Sequence, residues 1–409
     1  MPMPVSTWVE IDLDRFATNL AAVRGVDGGS RELLLVAKAD AYGHGAVEIA
    51  EAAEAEGVSH LGVATLHEGI QLRQAGTRLP IVVLSPLLPS EIGEAVAHDL
   101  SPTVADLNFA RELSEAAANA ALPVRVHVEI DTGMGRTGVS EGEAEAFLVA
   151  LTALPRLRLA SIYTHFPDAD ALDLSFAEGQ IARFNALIDR LGTRGVRPAR
   201  VHAANSAGSL NIPAARLDWM RVGLVAYGVQ PPHARARLPL LPVMAFKSRL
   251  VQVRSLPAGT PVSYSRTFVT RRPTRMGVVP VGYGHGLSWL MSNRGQMLVA
   301  GQRVPIIGRV TMDLTMIDLT DVPAEVGDEV VLFGDQGDAS LPIDEVAAWS
   351  ETLAYEVMCT IGKRVTRIYV RGGRPVKLTT LVGERTEWAN QAADHFRMRA
   401  AALAAVRKG

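Results

Sequence analysis

The sequence predicts an α/β protein, a (β/α)8 TIM barrel followed by a β-rich C-terminal domain, and three observations carry that expectation. Eight strand-like stretches alternate with helix-patterned ones over roughly 230 residues, the number and size of such a barrel. The competing doubly wound sheet usually has fewer strands and a glycine-rich first turn, which is not found. Beyond residue 240 the texture changes to valine-rich stretches separated by Gly, Pro and Asp turns. The expected divisions are residues 1–240 for the barrel, 241–383 for the β-rich domain and 384–409 for a helical extension.

Taken in order, the opening STWVEIDLD is a short strand that could join either domain, and 13–23 has helical spacing. Barrel strands are expected at 33–38, 60–65, 81–85, 101–104, 124–131, 157–166, 200–204 and 220–223. Helical patterns fall between them at 46–56, 66–75, 90–98, 106–118, 141–152 and 176–191. In the second domain strands are expected at 249–253, 276–281, 297–299, 303–310 and 329–333, with 343–350 the only helical stretch. The final residues, rich in Ala, Arg and Glu, have helical propensity and carry no identifiable chemistry.

Composition narrows the function classes. Lys plus Arg (41) nearly balances Asp plus Glu (43), with no basic block, so no nucleic-acid partner is expected. The single Cys359 excludes an intrachain disulfide and fits a reducing compartment. No basic-then-apolar leader opens the chain, and no apolar run approaches the ~20 residues of a membrane helix. The expectation is a cytoplasmic protein without membrane association. The ten histidines show no metal-ligand spacing, so no metal is expected.

Chemistry is sought where strands meet their loops. Lys38 follows five apolar residues, LLLVA. It either leaves the strand and snorkels to water, or is desolvated towards a nucleophilic amine able to form a Schiff base with a carbonyl cofactor such as pyridoxal phosphate. VRVHVEID at 124–131 alternates strictly, with Arg125, His127, Glu129 and Asp131 on one side. That side faces a barrel interior, or water if the sheet is antiparallel. Arg136, after the flexible TGMG, can turn back over the barrel mouth. His165 ends a strand, as a core residue, a cap partner or a ring that stacks flat on a cofactor. Asn205 and Ser206 sit where a strand gives way to a helix start, as simple caps or as phosphate donors. Arg221, Gly223 and Leu224 follow the eighth strand, where barrels commonly hold phosphate.

Nine motifs in order then give the chain its resemblance. They are VAKADAYGHG, DTGMGR, YTHF, HAANS, RVGLVAYG, VSYS, VPVGYG, GRVTMD and YEVMCTIGKRV. Over residues 5 to 370 the sequence resembles the alanine racemase family, pyridoxal-phosphate enzymes of two domains acting as head-to-tail dimers. The resemblance implies an isomerase that interconverts L- and D-alanine by two-base proton transfer and supplies D-alanine for peptidoglycan. It implies a homodimer whose active sites are shared between subunits. Lys38 would be the Schiff-base lysine and the base on one substrate face; Tyr264, from the other subunit, would act on the opposite face. Tyr42, Ser206, Tyr355 and the backbone of Gly223 and Leu224 match phosphate contacts, with Asn205 alongside. His165 matches the residue packed on the pyridine ring, Arg221 the pyridine-nitrogen contact, and Arg136 the contact to the phenolic oxygen and substrate. Met312, from the partner, and Tyr283 match substrate-binding positions.

Two departures stand out. Glu129 replaces a lysine commonly carbamylated in the family, and is expected to hold Arg136 directly. GYGHG replaces a common GYADG, putting His285 near the substrate entrance. The alternatives are a racemase of broader or different specificity and a non-catalytic pyridoxal-phosphate binding protein.

Overall fold

The structure is a computed structural model that describes residues 5–384; the expected helical extension at 384–409 lies, apart from its first residue, outside the described residues. The chain separates into two compact units. Among the described residues, one draws on 5–15 and 242–384, the other on Phe16–Leu241.

The second unit is a closed parallel barrel. Its strands are β1 (Glu32–Val36), β2 (His60–Val63), β3 (Ile81–Pro86), β4 (Leu100–Thr103), β5 (Val124–Asp131), β6 (Leu157–Tyr163), β7 (Arg200–His202) and β8 (Trp219–Val222). Each pairs with its successor, and β8 returns to β1, with Met220 beside Leu33 and Arg221 beside Leu34. Apolar runs such as Leu33–Leu34–Leu35 are buried, as expected for parallel strands covered by helices. The alternation in β5 is realised as a buried polar face. Val126, Val128 and Ile130 are fully buried, and so, nearly, are His127 and Glu129. The interior is filled by rings: Trp219 lies 4.1 Å from His60, 4.9 Å from His202 and 6.2 Å from His127, centroid to centroid. It is a packed core, as such barrels require.

The other unit is β-rich. The opening strand Thr7–Asp12 lies in its largest sheet, antiparallel to Met244–Arg249 and parallel to Thr366–Arg371. Three expectations need correction here. No single strand spans 249–253: one ends at Arg249, and the next, Gln252–Leu256, belongs to a different, three-stranded sheet. Between them Leu250 turns into the core, 1% exposed, and donates its N–H to Asp328. The strand expected to reach 310 stops at Pro305, and Gly308 beyond it adopts φ 79°, which an extended strand cannot hold. Finally, Ile343–Trp349 is joined by a second helix, Ala354–Cys359, too short for periodicity to reveal. Strands Thr315–Asp318 and Arg374–Thr380 lie outside the expected stretches. No helix among the described residues is long and apolar enough to cross a membrane.

Candidate active site

The C-terminal ends of the barrel strands bring together most of the expected residues. β1 ends at Val36, and Lys38 opens a turn in which Ala39, Asp40, Ala41 and Tyr42 all have φ between 53° and 56°. This left-handed turn swings Tyr42 inward to a buried position against Tyr227, ring centroids 5.1 Å apart. The Tyr42 hydroxyl reaches the neighbouring loop after β8: a Cβ placed on Gly223 would lie 2.8 Å from Tyr42 Oη. The Gly223 N–H donates to Ser206 Oγ at 3.0 Å. Tyr42, Ser206 and the bare backbone after β8 therefore converge from three loops. Asn205 Oδ1 accepts from Gly208 N–H at 2.8 Å and caps the short helix Ser206–Asn211, the plain capping alternative for its position. Leu224, 2% exposed, adjoins Gly223.

The second group surrounds Arg221 on β8. Its Nη1 donates to His202 Nδ1 at 2.9 Å. Its Nη2 donates to the carbonyls of Thr164 (2.8 Å) and Ala203 (3.0 Å) and to His165 Nδ1 (3.0 Å). Burial pushes its guanidinium down to about 10, which leaves it charged at neutral pH. Burial holds the His165 imidazole well below its ordinary range, and the nearby positive charges of Arg221, Arg136 and Lys38 act in the same direction. Because arginine can only donate, His165 carries its proton on Nε2.

Glu129, at the top of β5, is 3% exposed. It accepts from Thr137 Oγ1 at 2.7 Å, while Arg136 Nη2 stands at 4.0 Å. The expected direct hold on Arg136 is thus a distant ion pair, and Thr137 is the closer partner. Burial raises the Glu129 carboxyl, and the Thr137 bond, Arg221 and Arg136 oppose that rise.

Tyr264, Tyr283, Met312 and Tyr355 belong to the β-rich unit. All four are exposed, Tyr264 the most at 73%. Tyr264 stands on a turn in which Ser263 and Ser265 have φ 63° and 57°, beside a cavity of about 590 Å³ also lined by Val262 and Met316. Tyr283 and Met312 are held together by their backbones: Tyr283 N–H donates to Thr311 and Gly284 N–H to Met312. His285 is buried, with Nδ1 accepting from Gly282 N–H at 3.3 Å; burial, then Arg364, holds its ring below the usual range.

Sequence reasoning missed Glu68 and His202. Glu68 could have been found from T-x-x-E at 65–68, the pattern of a capping box at a helix start. His202 offered no local signal, since its role depends on a residue 19 positions away.

A barrel whose strand ends gather a lysine, two arginines and a hydroxyl-and-amide cluster, with a second β-rich unit, defines a two-domain barrel enzyme class. Residues 11–231 match the alanine racemase N-terminal domain and residues 243–369 the alanine racemase C-terminal domain. The chain belongs to the alanine racemase family. It is 43% identical over 380 residues to the alanine racemase of Desulfosudis oleivorans, covering 90% of this chain and 97% of that protein. Its structure resembles the alanine racemase of Clostridium difficile 630 (TM-score 0.89, 32% identity, 93% of this chain and 100% of that one). It also resembles the Bartonella henselae alanine racemase with covalently bound pyridoxal phosphate (TM-score 0.80, 26% identity, 90% and 100%).

Proposed function

We propose that this protein is a pyridoxal-phosphate-dependent alanine racemase, interconverting L- and D-alanine as a homodimer with shared active sites. In this reading it is cytoplasmic and supplies D-alanine for peptidoglycan. The observation that carries the reading is the convergence on one barrel mouth of Lys38 with Arg221, His165 and the Tyr42–Ser206–Gly223 cluster.

These residues fit the cofactor. Hydroxyl and backbone N–H donors suit a phosphoryl group, and Gly223 leaves room for Tyr42 Oη where any Cβ would collide. Tyr42, Ser206, Gly223 and Leu224 would hold the phosphate with Asn205 alongside; Tyr355 is read as a further phosphate contact from its place in the YEVMCTIGKRV motif. His165 would pack on the ring, Arg136 would meet its phenolic oxygen, and Lys38 would carry it. The bound cofactor supplies an electron sink that acidifies the substrate Cα–H.

The chain's own residues supply the rest. Racemisation removes a proton from one face of Cα and returns one to the other, so two opposed acid–base groups are the minimum. Lys38 and Tyr264, the latter from the partner subunit, take these roles, each contributing on the order of 10²–10⁴-fold when positioned. Lys38, Arg221 and Arg136 all lie close enough to His165 to hold its imidazole below the ordinary range. Arg221, charged and unable to accept, would face the ring nitrogen as a donor and keep a proton off it. Arg136, Met312 and Tyr283 would orient the substrate.

The test is conversion of L-alanine to D-alanine with added pyridoxal phosphate, read by chiral chromatography beside L-serine and L-lysine. Alanine should turn over fastest, Lys38→Ala should be inactive, and Tyr264→Phe should be strongly impaired. Faster turnover of serine or lysine would move the reading to a racemase of different specificity. Cofactor binding at Lys38 without any racemisation would make it a binding protein.

A further inference from the structure

Lys38 is followed by four consecutive non-glycine residues in the left-handed region: Ala39 (φ 53°), Asp40 (φ 56°), Ala41 (φ 53°) and Tyr42 (φ 53°). L-residues visit this region singly, because Cβ crowds the following carbonyl; a run of four does not hold itself in that shape. Backbone bonds close the turn, Gly43 N–H to Ala39 O and Gly45 N–H to Asp40 O, both 2.9 Å. Ala41 N–H to Ala37 O, also 2.9 Å, spans Lys38 and holds the turn to its own strand end, but none of these bonds ties the Lys38–Ala39 peptide to a neighbouring loop.

That tie comes from another βα unit. Glu68, in the helix Leu66–Gln74 that follows β2, accepts at Oε1 from the Ala39 N–H at 2.7 Å. Its Oε2 accepts from the N–H groups of Ala64 (2.7 Å) and Thr65 (3.1 Å), on the loop between β2 and that helix. Its own N–H donates to Thr65 Oγ1 at 3.3 Å, completing a capping box that holds the carboxylate in place. One carboxylate thus joins the loop after β1 to the loop after β2 through three backbone donors, and the peptide it grips directly follows Lys38. An ordinary capping box needs only the bonds within its own helix start. The bond to Ala39 is additional, and it is the shape of a brace.

We infer that Glu68 is a positioning residue: its carboxylate clamps the left-handed turn and thereby fixes the direction in which Lys38 presents its amine. The inference rests on Lys38 being the cofactor-bearing lysine. Glutamine preserves the size but replaces one acceptor oxygen by an NH2 group, so one of the two loops must lose its acceptor. Aspartate keeps both oxygens but withdraws them by one methylene.

The test uses the full chain as wild type, Glu68→Gln and Glu68→Asp. Two readouts are taken: amide hydrogen exchange over residues 37–46 without cofactor, and the rate at which pyridoxal phosphate is trapped on Lys38 by borohydride. Thermal midpoints are measured alongside. Glu68→Gln should speed exchange selectively in 37–46 and slow trapping at Lys38 by on the order of 10²-fold, the cost of an ångström-scale misplacement. It should lower kcat more than it raises KM, and Glu68→Asp should recover part of both effects. Unchanged exchange and trapping in Glu68→Gln would overturn the inference. So would changes spread evenly over the chain with a lowered midpoint, which is the mark of a merely structural cap. If the wild type takes no pyridoxal phosphate on Lys38, the functional reading fails instead, and exchange at 37–46 still decides whether Glu68 clamps the turn.

Discussion

Arg221 donates from Nη1 to Nδ1 of His202 at 2.9 Å, and this bond orders protons across the barrel interior. Arginine has no acceptor, so His202 Nδ1 must be bare and its proton must lie on Nε2. That proton points to Ser161 Oγ at 2.9 Å, and Ser161 Oγ also stands 2.7 Å from His127 Nδ1, to which its hydroxyl can donate. Both rings are thereby held neutral. Burial, then Arg221, keeps His202 well below its ordinary range; burial, then His60 and Arg125, pushes His127 down to about 3.

Acid should therefore destabilise the barrel before its carboxylates titrate. The unfolded chain has histidines near 6.5, the folded chain has His127 at about 3 and His60 at about 4, so the unfolded state takes protons first. Stability from these groups is complete above pH ~6.5 and falls as pH drops towards 3, by up to about 1.4 kcal/mol per pH unit for each histidine. Urea midpoints at pH 7.5, 6 and 5 test this. A flat profile, or ¹⁵N shifts showing His127 titrating near 6.5, would contradict it.

Replacing His202 by leucine strands one buried guanidinium N–H. The expected cost is about 1–3 kcal/mol in unfolding free energy, with a changed absorption of bound pyridoxal phosphate as Arg221 reorients. An unchanged urea midpoint and spectrum would mean that Arg221 finds another acceptor.

Gly223→Ala should weaken cofactor binding while leaving the barrel folded. The added Cβ meets only the tip of a side chain, Tyr42 Oη at 2.8 Å, which can withdraw at the expense of the cluster it completes. A loss on the order of tenfold, about 1.4 kcal/mol, in pyridoxal phosphate affinity is expected by fluorescence titration. Wild-type affinity would remove Tyr42 from the phosphate site.

Gly282→Ala should behave in the opposite way. There the Cβ would overlap the Thr311 carbonyl oxygen and lie 2.6 Å from the Met312 carbonyl carbon, and backbone cannot yield as a side-chain tip does. A destabilisation of about 3 kcal/mol is expected in the β-rich unit, along with displacement of Tyr283. A melting curve superimposing on wild type would refute the close approach.

Glu129→Gln separates charge from packing. The folded carboxyl is raised, so the unfolded chain ionises first and stability falls as pH rises from about 4.5 towards the folded value. Glutamine can keep an acceptor for Thr137 without that penalty, so the variant should match or exceed wild-type stability at pH 7. Its kcat should drop, because Arg136 loses its anion at 4.0 Å. Equal kcat would show that the pair does not orient Arg136.

Much of the barrel was legible in advance because its signals are local. Strand and helix periods, the apolar run before Lys38 and the alternation of β5 are written in neighbouring residues, and burial enforces them. The positions of Lys38, His165, Asn205, Ser206 and Arg221 at strand ends followed from the same periods. The β-rich unit was less legible: short strands, a six-residue helix and the break at Leu250 leave little periodicity to read. Pairing was decided only by tertiary structure. That Glu129 meets Thr137 before Arg136, that Glu68 reaches Ala39 from the neighbouring loop, and that Arg221 sets the tautomer of His202 depend on distances between residues far apart in sequence. A residue's type states which bonds it can make, but only the folded chain determines which partner arrives within 3 Å.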